Sequence, residues 1–208
     1  MTNIITINEL TINKQAVTCI VGQSGSGKST LLRLLNNLDT PSKGEIYFHD
    51  KLLNEMDPIK LRRQISMVPQ TPVIFEGTVR DNLEIGLKFS EKELVADTRL
   101  KEVLEMMDLD KNLEDDAEDL SGGEKQRVAL ARVILLGADV FLLDEPTSAL
   151  DDVTASNVIE KFVGYGKVND KTIIMVTHDT ELADRIADHI IHMDQYSDAL
   201  SEKVKVNE

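Results

Sequence analysis

Cysteine occurs once in this chain, at Cys19. One cysteine excludes an internal disulfide and fits a reducing cytosol. Cys19 itself lies in an apolar run and reads as a buried strand residue. Positive charge is scarce: 23 Lys and Arg stand against 37 Asp and Glu, a net charge of -14. That balance argues against non-specific binding to nucleic acid, which needs a positive surface. No apolar run approaches the ~18 residues that cross a bilayer. The stretch from Met1 to Asn13 lacks a basic leader segment and alternates apolar and polar residues, so it does not read as a signal peptide. Internal repeats and low-complexity linkers are also missing.

What is present is an ordinary globular composition, 41% hydrophobic and 29% charged over 208 residues, enough for one or two small domains. The alternation from Ile4 to Ile12 predicts a strand. Ala16–Val21, Val140–Leu143 and Lys171–Val176 are short apolar runs of the kind found in buried central strands. Gly44–Phe48, Ile65–Val68 and Ile190–Met193 complete the strand set, and a polar tail follows. Helices are predicted over Ser29–Leu38, Ile59–Gln64, Glu91–Met107, from Ser121 to near Gly137, and over Val153–Val163 and Glu181–Ala187. Within Glu91–Met107, Leu94, Leu100, Val103, Leu104 and Met107 are core candidates, and Met106 and Met107 read as helix packing. Ser121 followed by Glu124 is a capping box. Strands alternating with helices predict an α/β fold with a mostly parallel sheet covered on both faces. Residues 71–137 read as a helical insertion between two parts of that sheet, 1–70 and 138–208.

The chemistry concentrates in three places. Gly22-Gln23-Ser24-Gly25-Ser26-Gly27-Lys28-Ser29-Thr30 matches G-x4-G-K-[ST] and lies between a predicted strand and a predicted helix. Its glycines let backbone N–H groups converge on phosphate oxygens, with the helix N-terminus adding positive partial charge. Lys28 should reach the β- and γ-phosphates and Ser29 should ligate Mg²⁺. Asp144 and Glu145 end an apolar strand, where the ligand crevice of an open α/β sheet lies. Alone they could be two solvated acids. Beside a phosphate loop, Asp144 should hold Mg²⁺ through water, and Glu145 should orient or deprotonate the attacking water. Ser121-Gly122-Gly123 offers a hydroxyl, two bare backbones and a fresh helix N-terminus, a second anion site. One ATP rarely fills both sites of a single chain, so two chains arranged head to tail could each close the other's site. Glu114–Asp119 reads as a solvated acidic loop. Asp188, His189, His192 and Asp194 suggest a metal cluster, but on a strand the two histidines face opposite sides.

In this order the motifs resemble those of the ATP-binding cassette (ABC) ATPases, over nearly the whole chain. By that resemblance Gly22–Thr30 is the Walker A loop, Leu120–Arg127 the signature, and Val140–Glu145 the Walker B strand. Gln70 is the Q-loop residue, contacting Mg²⁺ or water and sensing a membrane partner. Asp151 in the D-loop Ser148–Asp151 links two sites across a dimer, and His178 is the switch histidine that contacts the γ-phosphate. The fold implied is a P-loop NTPase: a RecA-like core, a small N-terminal antiparallel β part, and the inserted helical subdomain. The activity implied is ATP hydrolysis with Mg²⁺.

An aromatic residue that stacks on adenine usually precedes Walker A in this family, and no Phe, Tyr or Trp occurs before Tyr47. Residues 4–12 match the family's second strand, so the first strand and its aromatic loop are expected to be missing. Three readings compete: the separate ATPase subunit of a membrane transporter, a non-transport ABC ATPase of DNA repair, chromosomes or ribosomes, and a regulator with little turnover. Lys28 and Ser121 lie 93 residues apart, which leaves no room for a long coiled coil. The full motif set argues against a silent regulator. The expectation is therefore a cytoplasmic subunit, peripheral on the inner face of the cell membrane. It would act as a homodimer on an integral membrane permease, with no nucleic-acid partner. The landmarks from Gln70 to Leu83, with Phe75, Thr78-Val79 and Asn82-Leu83, resemble exporters, and the FetA-like ATPases of iron or metal exporters are the preferred subtype, with small amino-acid or peptide importers and lipoprotein-type exporters as the alternatives.

Overall fold

A computed structural model describes residues 5–196. Its strands are β1 (Val17–Val21), β2 (Tyr47–Phe48), β3 (Lys51–Leu52), β4 (Ile65–Val68), β5 (Val140–Asp144), β6 (Thr172–Val176) and β7 (His189–His192). Five of them form one sheet in the order β4-β5-β6-β1-β7, and every pairing in it is parallel. The sequence explains the arrangement. β1, β5 and β6 are buried at every position, which only a sheet covered on both faces allows. β2 and β3 form the small antiparallel part. The P-loop NTPase cassette fold expected from the motif order is the fold observed.

The helices are α1 (Lys28–Leu35), α2 (Pro58–Gln64), α3 (Val79–Phe89), α4 (Asp97–Met106), α5 (Gly122–Leu136), α6 (Asp152–Val168) and α7 (Thr180–Ile186). Their starts follow local chemistry. Asp57 caps α2 by accepting from the N–H groups of Ile59 and Lys60, with Pro58 at the first helical position. α5 begins with the Ser121–Glu124 capping box and stops at Gly137, which takes the left-handed conformation at φ 67°. One core packs α3 to α7 against one sheet face, around Phe141 and Phe162, whose rings meet edge-on. A second core packs α1 and α2 on the other face, around Leu32, Leu61 and Leu142.

Several elements differ from expectation. Ile5, Ile7, Leu10 and Ile12 point into the second core, but residues 5–13 form no ladder and are not a strand; Ile4 lies outside the described residues, as does the tail from 197. The alternation is real, but among the described residues no partner strand pairs with it. The predicted helix Glu91–Met107 is shorter than expected: it is α4, which starts only at Asp97, and residues 90–96 separate it from α3, which ends at Phe89. Glu91 has a φ of 54°, which breaks the helical path, and Leu94 is exposed. α3 itself was unforeseen, although Val79, Leu83 and Leu87 recur every fourth residue and face the core. Buried Asn82 and Glu84 interrupt its apolar stripe and mask the period. The Gly44–Phe48 strand shrinks to its last two residues.

Candidate functional site

Parallel pairing sets the site. Val68 of β4 lies beside Leu143 of β5, Asp144 beside Val176 of β6, and Ile20 of β1 beside Val176 from the other side. Residues just past these strand ends, Gly22, Gln70, Glu145 and His178, therefore fall on one edge of the sheet, where α/β folds bind ligands.

The loop from Gly22 to Gly27 carries β1 into α1. Gly22, Gly25 and Gly27 have φ values of 150°, 81° and 91°, which side-chain-bearing residues rarely adopt. At Gly22 a Cβ would also lie 3.1 Å from Ser26 Oγ and 3.2 Å from Met193 Cβ. Lys28 is buried, and its Nζ donates to the carbonyls of Gly22 and Gln23, each at 2.8 Å, which holds the ammonium over the loop. The N–H groups of Lys28, Ser29 and Thr30 open α1, where no helical acceptor exists for them. Ser26 Oγ is buried and has no protein partner. Unclaimed N–H groups, a buried hydroxyl and an ammonium are the donor set of a phosphate cradle.

Ser29 Oγ donates to Asp144 Oδ1 at 2.9 Å. The two hard oxygen donors side by side suit Mg²⁺, which takes few protein ligands and fills its shell from phosphate and water. Burial pushes the Asp144 carboxyl above its usual range, nearby Glu145 adds to the rise, and the Ser29 hydroxyl and Lys28 oppose it. Glu145 is the meeting point of the site. Its Oε2 accepts from Gln70 Nε2 at 2.9 Å, and its Oε1 lies 2.6 Å from His178 Nε2. Its own backbone sits at φ 48°, an uncommon conformation for a side chain of this size, while its N–H donates to the Val176 carbonyl. The fold thus aims this carboxylate between β4 and β6.

Ser121 and Gly122 are exposed at the start of α5. Glu124 accepts from the Ser121 N–H at 2.8 Å and pairs with Lys111 at 2.9 Å, and these two contacts hold its carboxyl down at about 2. A Cβ on Gly123 would stand 2.9 Å from the Ala149 carbonyl oxygen and 2.9 Å from Leu150 Cδ2. That glycine is required by close approach to residues 149–150 of the same chain, a contact the motif alone does not reveal. Asp151 caps α6, accepting from the Thr154 N–H at 3.1 Å. The Thr154 contacts, side chain first, lower its carboxyl pKa.

The pattern of the ABC transporter family matches residues 6–148. The chain belongs to the ABC transporter family. It is 41% identical over 181 residues to the protein STAR1 of Oryza sativa subsp. japonica, covering 86% of this chain and 52% of STAR1. It is 40% identical over 198 residues to the L-cystine import ATP-binding protein TcyN of Bacillus subtilis (strain 168), covering 89% of this chain and 74% of TcyN. Among solved structures, the dimeric post-hydrolysis state of the ATP-binding cassette MJ0796 bound to ADP and Pi superposes with a TM-score of 0.78 at 32% identity, covering 88% of this chain and 83% of that one. The chain spans about half the length of the first curated relatives it matches.

The structure brings together Gly22 to Thr30, Gln70, Asp144, Glu145 and His178, and leaves Ser121–Gly123 on the separate α5 end. No group of three or more His, Cys, Asp or Glu that could hold a metal occurs among the described residues. Neighbours missed from sequence are Met193, against Gly22, and Asp194, whose Oδ1 accepts from the Gln23 N–H at 3.5 Å. No local signal marks them, since they reach the loop only because β7 pairs with β1.

Proposed function

We propose that this chain is the ATP-binding and ATP-hydrolysing subunit of a transporter, working as a head-to-tail homodimer on a separate integral membrane permease. The observation that carries the reading is the Gln70–Glu145–His178 cluster beside the phosphate loop. Lys28 and the loop N–H groups bind the β- and γ-phosphates. Ser29, Asp144 and Gln70 would hold Mg²⁺, which when bound neutralises charge on the phosphates. Glu145 accepts the proton of a water whose oxygen bonds to the γ-phosphorus as the β–γ bridging bond breaks. Gln70 and His178 hold the two carboxylate oxygens in place for that transfer, and His178 contacts the γ-phosphate. Exposed Ser121 and Gly122, with half-buried Gly123, close the partner copy's site, and Asp151 joins the two sites across the pair. Residues 71–137 form the helical lobe that moves against the core lobe of 1–70 and 138–208.

The membrane assignment draws on the relatives, which include a named import ATP-binding protein. No helix among the described residues is long and apolar enough to cross a membrane. In this reading a permease on another chain supplies the path and the subunit sits on the cytoplasmic face. The finer expectation of a FetA-like iron or metal exporter draws on Gln70 to Leu83 only. The named relatives include a cystine importer and lend it no support, so substrate choice is assigned to the permease.

The test is Glu145→Gln, tagged, trapped with ATP and Mg²⁺ in the native host and purified from gently solubilised membranes. Turnover falls by about 10²–10⁴-fold, ATP binding persists, and a polytopic membrane protein co-purifies. An unchanged hydrolysis rate removes Glu145 from its role. Recovery in the soluble fraction with ribosomes or DNA-repair proteins replaces the transporter reading with a non-transport ATPase.

A further inference from the structure

Between Gln70 and α3 the chain has no regular structure, so its backbone polar groups need partners from other elements. Two side chains supply them, one buried and one half-buried. Asn82, on α3, is fully buried; its Oδ1 accepts from the Phe75 N–H at 2.8 Å, and its Nδ2 donates to the carbonyls of Phe75 at 2.8 Å and Thr78 at 3.1 Å. Arg132, on α5, donates through Nε to the Asn82 carbonyl at 2.7 Å, through Nη1 to the Val73 carbonyl at 2.9 Å, and through Nη2 to Asn82 Oδ1 at 3.1 Å. The Phe75 ring covers the guanidinium, 5.3 Å from its centroid.

No carboxylate pairs with Arg132 among the described residues. Burial pushes its pKa down to about 10, which leaves it charged at neutral pH. A half-buried charge without a counter-ion is a poor device for stability, since it is partly desolvated with no opposite charge to offset the cost. What a planar fork does deliver is fixed geometry between several acceptors at once.

We infer that Arg132 is a positioning residue for Gln70: it clamps residues 73–82 to α5, leaving only Thr71 and Pro72 between that rigid unit and the Gln70 amide that holds Glu145. Pro72 has a fixed φ, so the flexible joint is confined to Gln70 and Thr71. Movement of the α5 end that carries Ser121–Gly123 is passed to Glu145 through this clamp. The inference rests on the hydrolytic reading above.

Its test is a double-mutant cycle in the full chain. Arg132→Lys keeps the charge and loses the fork. It lowers kcat for ATP hydrolysis by about tenfold with ATP Kd unchanged within about twofold, and in a Gln70→Ala background it changes kcat by less than about twofold. Equal fold-losses in both backgrounds overturn the inference, because a merely structural residue acts independently of Gln70. Amide hydrogen exchange in the same variant reads the clamp without activity. Exchange at Phe75 accelerates by about tenfold or more while Val17–Val21 is unchanged, and unchanged exchange at Phe75 overturns it. If Arg132→Lys fails to fold, Phe75→Leu, which removes only the covering ring, goes through the same cycle and the same exchange experiment. If the unsubstituted protein binds ATP but does not hydrolyse it, the hydrolytic reading fails and takes the link to Glu145 with it, while Phe75 exchange still decides the clamp.

Discussion

Asp144 carries opposed demands. Its carboxylate is placed for Mg²⁺, yet burial raises its pKa. A carboxyl raised by folding holds its proton more tightly in the native state, so it favours the fold at low pH and that contribution is lost as pH rises through the folded pKa. Asp144→Asn is therefore expected to raise Tm at neutral pH, because the amide keeps an acceptor for Ser29 and carries no charge. The gain shrinks to nothing below the pKa of an unfolded aspartate, about 3.9. The same variant loses Mg²⁺-dependent ATP binding. Thermal melts from pH 3.5 to 8, with and without Mg²⁺–ATP, check both signs; a Tm below the parent at pH 7 would show that the charge is not a burden to the fold. Lys28→Ala is expected to abolish phosphate binding, read by calorimetry with ATP. It also releases the Gly22 and Gln23 carbonyls that its ammonium now bridges.

At the scale of elements, α5 does several jobs from one short sequence. Its cap Ser121 and first residue Gly122 face solvent, its second residue packs on the 149–150 loop, and Arg132 further along holds the segment after Gln70. Gly123→Ala is expected to destabilise the protein by about 1–3 kcal/mol, since the new methyl meets a backbone carbonyl that cannot rotate away. Denaturant unfolding measures this, and a stability equal to the parent means that residues 149–150 yield freely. Legibility was uneven at this scale. α5 could be read to the residue because the capping box and the terminal glycine are local signals. α3 was missed because its buried Asn82 serves the neighbouring loop and its buried Glu84 pairs with Lys88 of the same helix, so both look like solvent positions in a linear reading.

For the whole molecule, the phosphate loop and the Ser121–Gly123 turn belong to different elements of one chain, and the proposed function joins them only between copies. Glu145→Gln with ATP and Mg²⁺ is expected to shift the purified chain from monomer to dimer. Light scattering after size exclusion reads the change, and Ser121→Arg, which puts a bulky side chain on the exposed turn, should prevent it. A dimer that forms equally well in Ser121→Arg would place the interface elsewhere. The net charge of -14 opposes association through self-repulsion, so the dimer should strengthen with added salt.

The sequence by itself determined the sheet's buried strands, the phosphate loop, the two acids at the end of β5, and the ends of α5. Each is written in contiguous residues: an apolar run, a glycine spacing, a cap. It also supplied Gln70 and His178, through motif order. Only the tertiary structure decided that these two residues touch opposite oxygens of Glu145, that Gly123 answers to residues 149–150, that residues 5–13 pack without pairing, and that Arg132 holds the segment after Gln70. Those contacts depend on which strand ends lie side by side and on which helix faces meet. Parallel strands joined through long crossovers bring together residues far apart in the chain, and no local pattern records the meeting.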